Sequence, residues 1–314
     1  MGNIQINQTC VYVEKAGITQ ELMQSWINYL DAKPKTVATY TRALRQFWRY
    51  IQDKGISAPT REDVLAYREE LIAQGKAAAT IQGYMVAVKL FFAWLSDKGM
   101  YPNIAEHIKG MKVQQYFHKD HLTLRQAKAL LESCPQDNES NARDYAIMAL
   151  MITTGLRTIE IERANLEDIH TIGDNTALLI QGKGRDDKAE FVKISASVED
   201  AIRKYLSYRR ESKGALFVST AHRNAGQRMT TRSISRIVKE RMQAIGLNSE
   251  RLTAHSLRHT AAHLMINAGE NIRNVQQVLR HSNINTTMIY LRQKNREDNN
   301  AELKAANMLF GMGD

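Results

Sequence analysis

Apolar residues recur at helical spacing along the first third of the chain. In residues 18–100, four segments each carry one apolar stripe with helical periodicity, which predicts amphipathic α-helices. Gly55 and Gly99 end the second and fourth segments, and Thr60 with Asp63 predicts a capping box at the start of the third. Four such helices predict a small all-α domain. The stripes of the first two segments are formed by Leu22, Trp26, Ile27 and Leu30, and by Tyr40, Leu44, Phe47, Trp48 and Ile51.

The pattern becomes mixed in the rest of the chain. Helical periodicity returns in residues 123–134 and 142–155, where Thr123 is a candidate cap. Two apolar runs within residues 176–195 then flank a polar turn, which predicts a β-hairpin with Lys183 at or near its tip. Beyond this hairpin the pattern is again mainly helical.

These patterns divide the chain into four parts. Proline, glycine and charges of both signs between the two patterned regions are typical of a linker. We expect a helical domain over residues 15–103, a linker over 104–121, a domain of helices with a small β-sheet over 122–300, and a C-terminal tail helix over 301–314.

The charge balance favours a polyanionic partner. Lys and Arg number 43 against 33 Asp and Glu, which gives a formal charge of +10 and an isoelectric point near 9.5. Such a charge favours nucleic acid over an acidic membrane surface. No stretch approaches the roughly 18 apolar residues of a membrane span, so we expect no membrane association. Cys10 and Cys134 fit neither a disulfide framework nor a zinc motif, which predicts unpaired thiols in a reducing cytoplasm.

The segment TAHSLRHTAAH, residues 253–263, concentrates three histidines and an arginine. The histidines recur every four residues, which places them along one helix face with Arg258 beside them. A catalytic zinc helix has glutamate where this chain has Ser256, and His255 and His263 would lie about 12 Å apart along a helix, so we expect no metal. Arg258 is within reach of an anion at His255, and a guanidinium matches phosphate oxygens, which favours a phosphate.

Two further segments carry residues suited to the same chemistry. Arg157 follows Gly155 in TTGLRTIEIERAN, and His281 precedes Tyr290 by nine residues in LRHSNINTTMIYLRQ. With TGLRxxE, a hairpin lysine, HxLRH and a closing H…Y in this order, the chain resembles the tyrosine recombinases over nearly its whole length. The resemblance implies a mainly α fold with a small β-sheet, in which a helical SAM-like core-binding domain precedes an α+β catalytic domain.

The resemblance also implies an enzyme that cleaves and rejoins duplex DNA. Arg157 and Arg258 are similar to the paired arginines that bind the non-bridging oxygens of the scissile phosphate. Tyr290 matches the nucleophile that forms a 3′-phosphotyrosyl link. His255 matches a histidine implied in proton transfer, and His281 one that hydrogen-bonds the phosphate.

The proton for the leaving 5′ oxygen is assigned to the hairpin. Lys183 resembles the lysine that donates it, and Lys188 and Arg185 remain alternatives. Two arginines aimed at the phosphate would stabilise the transition state by about 3 kcal/mol each. A phenol with an ordinary pKa of about 10 needs a base or a positive field to react at neutral pH. The sequence contains no P-loop and no carboxylate cluster, so we expect neither ATP, a metal nor another cofactor.

Other residues near these motifs have separate interpretations. Arg280 precedes His281 where the family usually has glycine, which implies a shifted turn or an added phosphate contact. Glu160 is interpreted as orienting Arg157. His259 and His263 are interpreted as structural residues of the helix.

The starts of the second and fourth helices are predicted to face DNA. Their polar and basic side chains suit contacts to the sugar-phosphate backbone, and base readout is left open. The residues predicted for these contacts are Lys35, Thr39, Arg42, Thr80, Gln82 and Tyr84.

The tail over residues 301–314 predicts an assembly. In related recombinases such a tail docks into a neighbouring subunit, and the alternative is that it packs onto its own domain. The resemblance implies a homotetramer that exchanges tails on two DNA sites with paired inverted core sites, at the bacterial nucleoid. Accessory DNA-bending or directionality proteins are compatible with it. The apolar residues of the tail are Leu303, Ala306, Met308, Leu309 and Phe310.

Two other functions remain open at this point. A type IB topoisomerase-like enzyme would relax supercoils by similar chemistry without pairing two sites. A non-catalytic DNA-binding regulator would need the charge and the helices but not the six converging residues. For a recombinase, the sequence leaves open whether the task is integration or excision of a mobile element or the resolution of DNA dimers.

Overall fold

The structure is a computed structural model that describes residues 19–112, 120–182, 187–209, 211 and 213–311. The chain divides into two compact units, residues 1–116 and 117–314. Ala105 and Ile108, which the sequence assigns to the linker, are buried in the core of the first unit. The domain bounds drawn from the sequence remain predictions.

Over its described residues, 19–112, the first unit contains four helices, in the segments where apolar periodicity predicts them. Thr19 caps the first helix by accepting a hydrogen bond from the Leu22 amide, and the capping box of Thr60 and Asp63 begins the third. The helices are α1 Gln20–Tyr29, α2 Pro34–Asp53, α3 Arg61–Ala73 and α4 Ala78–Asp97.

Aromatic side chains fill the core of the first unit. Phe47 of α2 meets Tyr67 of α3 and Phe92 of α4 edge to face, with ring centroids 5.1 and 5.9 Å apart. Trp26 of α1 meets Phe91 in the same way at 5.7 Å. These contacts bring all four helices into one cluster, and such aromatic pairs add about 0.5–1.5 kcal/mol each beyond the area that they bury.

Helix α4 corrects the expectation that no stretch of this chain approaches the apolar length of a membrane span. By length and composition it is apolar enough to cross a membrane, and it is the one such helix among the residues that the structure describes. Its buried apolar residues, among them Met85, Val88 and Leu95, contribute to the core of the first unit. Its high hydropathy is therefore accounted for by packing against the other helices.

The second unit is built of helices around one small sheet. Its helices are α5 Leu124–Glu132, α6 Glu139–Thr154, α7 Thr158–Arg163, α8 Ala196–Leu206, α9 Thr231–Ala244, α10 Ala254–Asn267, α11 Ile272–Leu279, α12 Ile284–Glu297 and α13 Ala301–Phe310. Its strands are β1 Ile169–Ile172, β2 Asn175–Ile180 and β3 Glu190–Lys193, and short 3₁₀ turns lie at Leu166–Asp168 and His222–Asn224. The predicted mainly α fold with a small sheet is confirmed.

The sheet is antiparallel in the order β1-β2-β3, with Leu178 of β2 opposite Ile169 and Val192. Strands β2 and β3 confirm the predicted hairpin, while β1 was not predicted. Its two middle residues, His170 and Thr171, are polar and exposed, so the strand carries little apolar pattern.

Helix α6 lies at the centre of the second unit. Eleven of its residues are buried, and it packs against α8 and α10. A helix that is apolar on most sides belongs in a core. Its C-terminal end therefore leads directly from the core into the segment with Gly155 and Arg157.

We expect the packed and exposed faces of α4 to respond differently to mutation. Leu95 is 0% exposed and Leu90 is 40% exposed on the same helix. Leu95→Ala should lower the free energy of unfolding by about 2–5 kcal/mol because it leaves a cavity, and Leu90→Ala by less than about 0.5 kcal/mol. Urea denaturation of the full chain measures both. Equal effects would contradict the packing described for this helix.

Candidate active site

A tight turn after α6 begins the site. Helix α6 ends at Gly155, whose φ of 65° lies in the left-handed region that favours glycine. A Cβ at this position would lie 2.5 Å from Cδ2 of Leu279, so the packing also requires glycine. Arg157 follows in extended conformation as the N-cap residue of α7.

Arg258 of α10 is almost completely buried beside this turn. Its guanidinium donates hydrogen bonds to the backbone oxygen of Gly155, at 2.6 Å, and to that of Leu279. Burial lowers its pKa to about 9, and the positive charges of Arg157 and Arg280 act in the same direction. The group is thus held in one orientation at a place where a bound anion would be stabilising.

The carboxylate of Glu160 binds two arginines. The Arg157 guanidinium donates to Oε1 at 3.0 Å, and the Arg157 backbone N–H donates to Oε2 at 2.7 Å. The Arg280 guanidinium donates to the same Oε2 at 2.8 Å. Glu160 is fully buried, so these three donors replace the water that its charge would otherwise bind.

Tyr290 of α12 lies among histidines and is 2% exposed. Its phenolic oxygen is 2.8 Å from Nδ1 of His259, a contact that the interpretation of His259 as structural did not include. Burial raises the pKa of Tyr290 to about 12, against the opposing influence of Arg258 and Arg157. The phenol is therefore protonated in this state and within the electrostatic reach of both arginines.

The other two histidines of α10 have different surroundings. His255 is exposed, and its ring meets the His259 ring edge to face at 4.7 Å. His263 is buried and stacks on His121 with ring centroids 3.6 Å apart. Burial and the neighbouring His121 lower the pKa of His263 to about 4, so it is neutral at physiological pH. Among the described residues, no group of histidine, cysteine and acidic side chains has the arrangement to hold a metal ion.

His281 lies beside the predicted nucleophile. Its Nδ1 is 2.9 Å from the Thr287 hydroxyl, and its ring is parallel to the Tyr290 ring at 6.4 Å. Burial lowers its pKa to about 3, and the charges of Arg258 and Arg157 contribute to this shift. His281 is therefore neutral and can donate or accept a hydrogen bond without adding charge.

Of the three candidates for the general acid, Lys188 is the one that lies within the described residues. Lys183 and Arg185 lie outside the described residues. Lys188 forms an ion pair with Asp168 and a hydrogen bond to the Arg163 carbonyl oxygen. Its charge is therefore already engaged within the fold.

The predicted DNA contacts separate into two groups. Four of them are exposed in the first halves of α2 and α4, namely Lys35, Thr39, Arg42 and Thr80. Gln82 and Tyr84 are partly buried in the first unit, and the Gln82 amide oxygen lies against Gly110 with no hydrogen-bond partner in the described part of the chain.

The site therefore brings Arg157, Arg258, His281 and Tyr290 into one neighbourhood, with His255 reaching it through His259. Two residues that the sequence placed in supporting roles, Glu160 and His259, contact members of this set directly. The arrangement combines a phenol with a surplus of positive charge, which suits nucleophilic attack on a phosphodiester.

Comparison with known proteins identifies the chain. The phage integrase family matches residues 120–297, and its N-terminal SAM-like domain matches residues 19–99. The chain belongs to the phage integrase family of tyrosine recombinases. It is 31% identical over 287 residues to tyrosine recombinase XerC of Roseiflexus castenholzii, covering 86% of this chain and 88% of the relative. It is 30% identical over 278 residues to tyrosine recombinase XerA of Pyrococcus furiosus, covering 88% and 90%.

Solved structures of family members share the fold. XerH recombinase in a post-cleavage complex with a palindromic difH substrate has a TM-score of 0.70 at 20% identity, covering 97% of this chain and 94% of that one. A lambda integrase dimer bound to a COC′ core site has a TM-score of 0.67 at 18% identity, covering 84% and 95%. The predicted relationship to the tyrosine recombinases is confirmed.

The turn at Gly155 provides a test of the packing around Arg258. Gly155→Ala should lower the free energy of unfolding by about 2–4 kcal/mol, because it adds a clash with Leu279 to the strain of a positive φ. Gly173→Ala is the matched control, since Gly173 has a φ of 59° and a Cβ added there would meet nothing within 4 Å. It should lose only about 1 kcal/mol. Chemical denaturation measures both, and equal losses would contradict the close approach of Leu279.

Proposed function

We propose that this chain is a site-specific recombinase that cleaves and rejoins duplex DNA, with Tyr290 as the nucleophile. The observation that carries the proposal is the convergence of Arg157, Arg258, His281 and Tyr290 from separate elements of the second unit. Membership of the tyrosine recombinase family supports the same reaction.

The reaction exchanges one phosphodiester for another. The Tyr290 oxygen bonds to the scissile phosphorus, the bond from phosphorus to the 5′ oxygen breaks, and the released 5′ oxygen takes a proton. Arg157 and Arg258 hold the non-bridging oxygens as charge accumulates on them, and each donor would contribute about 3 kcal/mol. Because the phosphodiester bond energy is kept in the tyrosyl link, rejoining requires neither ATP nor a metal ion.

Two proton transfers accompany these steps. His259 is proposed as the acceptor of the tyrosine proton, since its Nδ1 lies 2.8 Å from the phenolic oxygen. The exposed ring of His255 contacts the His259 ring edge to face. His255 is proposed to take part in proton transfer through His259 rather than by direct contact with Tyr290. Lys183 is proposed as the donor to the 5′ oxygen, on the strength of the family motif. The ion pair of Lys188 with Asp168 argues against Lys188 as the alternative donor.

Cleavage of a suicide substrate tests the reaction. A duplex selected from a randomised library by its binding to this chain is nicked next to the site, so that a short fragment escapes after cleavage. The wild type should form a covalent adduct, and Tyr290→Phe should form none because it lacks the attacking oxygen. Tyr208→Phe is a matched control, since Tyr208 is exposed and its hydroxyl donates to the carbonyl oxygen of Gln136, which is not a member of this cluster.

The same assay separates the competing functions. A DNA-binding regulator would form no adduct with either protein. A topoisomerase-like enzyme would form the adduct but would not exchange strands between two labelled duplexes. Strand exchange that depends on Tyr290 is the result that the proposal requires.

The tail is proposed to join subunits in a homotetramer on two DNA sites with paired inverted core sites. None of the residues of α13 is buried, and its contact with α12 includes an ion pair between Arg296 and Glu302 at 2.6 Å. Leu303, Met308, Leu309 and Phe310 are between 65% and 88% exposed. An apolar end of this kind favours docking into a neighbouring subunit over packing onto its own domain.

Removal of the tail should separate DNA binding from assembly. A chain that ends at residue 301 should bind a single site with little change, but it should pair two sites poorly because each subunit lacks its docking segment. Leu124→Ser in the full chain is the control, since Leu124 is 56% exposed outside the tail. Gel shift and strand exchange measure the two properties. Unchanged recombination by the shortened chain would refute tail exchange.

The proposal leaves two biological tasks open for this recombinase. Integration or excision of a mobile element and resolution of DNA dimers both use this reaction. The names of the relatives, tyrosine recombinases XerC and XerA, do not distinguish between these tasks. Action at the bacterial nucleoid with accessory DNA-bending or directionality proteins is part of the same proposal.

A further inference from the structure

Arg280 has a backbone conformation that L residues rarely adopt. It follows the last residue of α11 with φ of 54° and ψ of 47°, in the left-handed region. The arginine thus adopts a backbone conformation that glycine, the residue usual in the family, takes without steric cost. The shifted turn and the added phosphate contact that the sequence implies as alternatives both stay predictions. Such a conformation persists where surrounding contacts stabilise it, and at Arg280 the side chain makes those contacts.

The Arg280 side chain is directed into the protein and is 7% exposed. One end of its guanidinium donates to Glu160 at 2.8 Å, and another nitrogen donates to the Val278 carbonyl oxygen. Its Nε is buried without a hydrogen-bond partner in the described part of the chain. A guanidinium this deeply buried is rare unless it is paired, and here its partner is the carboxylate of Glu160.

The carboxylate that Arg280 binds is the one that orients Arg157. Three guanidinium groups, those of Arg157, Arg258 and Arg280, lie around the buried carboxylate of Glu160, and the carboxylate of Glu190 has a smaller influence on Arg280. Positive charge therefore exceeds negative charge around Glu160. With glycine at position 280 one of these positive charges would be absent, and the Glu160 carboxylate would keep its hydrogen bonds to Arg157 but lose the one to Arg280.

We propose that Arg280 is a positioning residue for DNA cleavage, which shares Glu160 with Arg157 and so keeps the Arg157 guanidinium both oriented and positively charged toward the phosphate. This inference rests on the proposed function. A carboxylate divided between two guanidinium groups neutralises each of them less than one that is paired with a single partner. The shared carboxylate would then orient the Arg157 guanidinium while leaving most of its positive charge available to the phosphate.

Single-turnover cleavage of the selected nicked duplex tests this role. Arg280→Gly suits the backbone and removes the charge, so we expect cleavage about tenfold slower, with affinity for the duplex within about threefold of wild type. Arg280→Lys retains the charge and should recover part of the rate. Denaturation of each variant shows whether a loss of rate follows a loss of stability. A wild-type rate for Arg280→Gly would overturn the proposal.

A double-mutant cycle distinguishes action through Glu160 from direct contact with the phosphate. If Arg280 acts through Glu160, adding Arg280→Gly to Glu160→Gln should slow cleavage by less than about twofold further. Independent effects, in which the two losses multiply, would show that Arg280 acts on the phosphate itself and would contradict the positioning role.

A measurement without DNA separates this proposal from the proposed function. The charge of Arg280 is one cause of the low pKa of His281, which lies at about 3. An NMR titration of the histidine rings should show that pKa raised in Arg280→Gly and little changed in Arg280→Lys. If wild type forms no adduct but this shift occurs, the recombinase mechanism fails while the placement of the charge stands. An unchanged His281 pKa in Arg280→Gly would overturn the placement of the charge.

Discussion

The site depends on one buried carboxylate, that of Glu160, bound between the guanidinium groups of Arg157 and Arg280. The first arginine begins α7 and the second ends α11, so the carboxylate connects segments that are distant in the sequence. Arg258 adds a second connection, because its guanidinium binds the carbonyl oxygens at the same two turns. Loss of Glu160 would leave buried positive charges uncompensated, which is among the more destabilising changes in a protein interior.

This arrangement also accounts for the state of Tyr290. The surplus of positive charge favours an ionised phenol, but burial dominates and raises its pKa to about 12. The contact with Nδ1 of His259 holds the phenolic oxygen in place within the influence of the arginines. A phosphodiester bound here would offset the remaining positive charge of the arginines, and its phosphorus would be the electrophile that the phenol attacks.

Much of this fold and several site residues could be predicted from the sequence because their signals are local. The stripes of α1 to α4 are visible as periodicity, and Gly155 precedes Arg157 in a recognisable motif. The role of His259 was not visible, because the spacing within α10 reveals a shared face but not that α12 brings Tyr290 against it. The bond from Arg280 to Glu160 joins residues far apart in the chain, and no local pattern encodes it. The partial burial of Gln82 against Gly110 was missed for the same reason.

A crystal structure of the Tyr290→Phe chain bound to its selected DNA duplex tests this arrangement most directly. We predict that the scissile phosphate accepts hydrogen bonds from both Arg157 and Arg258, while Glu160 still bridges Arg157 and Arg280. A phosphate bound elsewhere, or a Glu160 carboxylate that has released both arginines, would contradict the proposed role of this cluster.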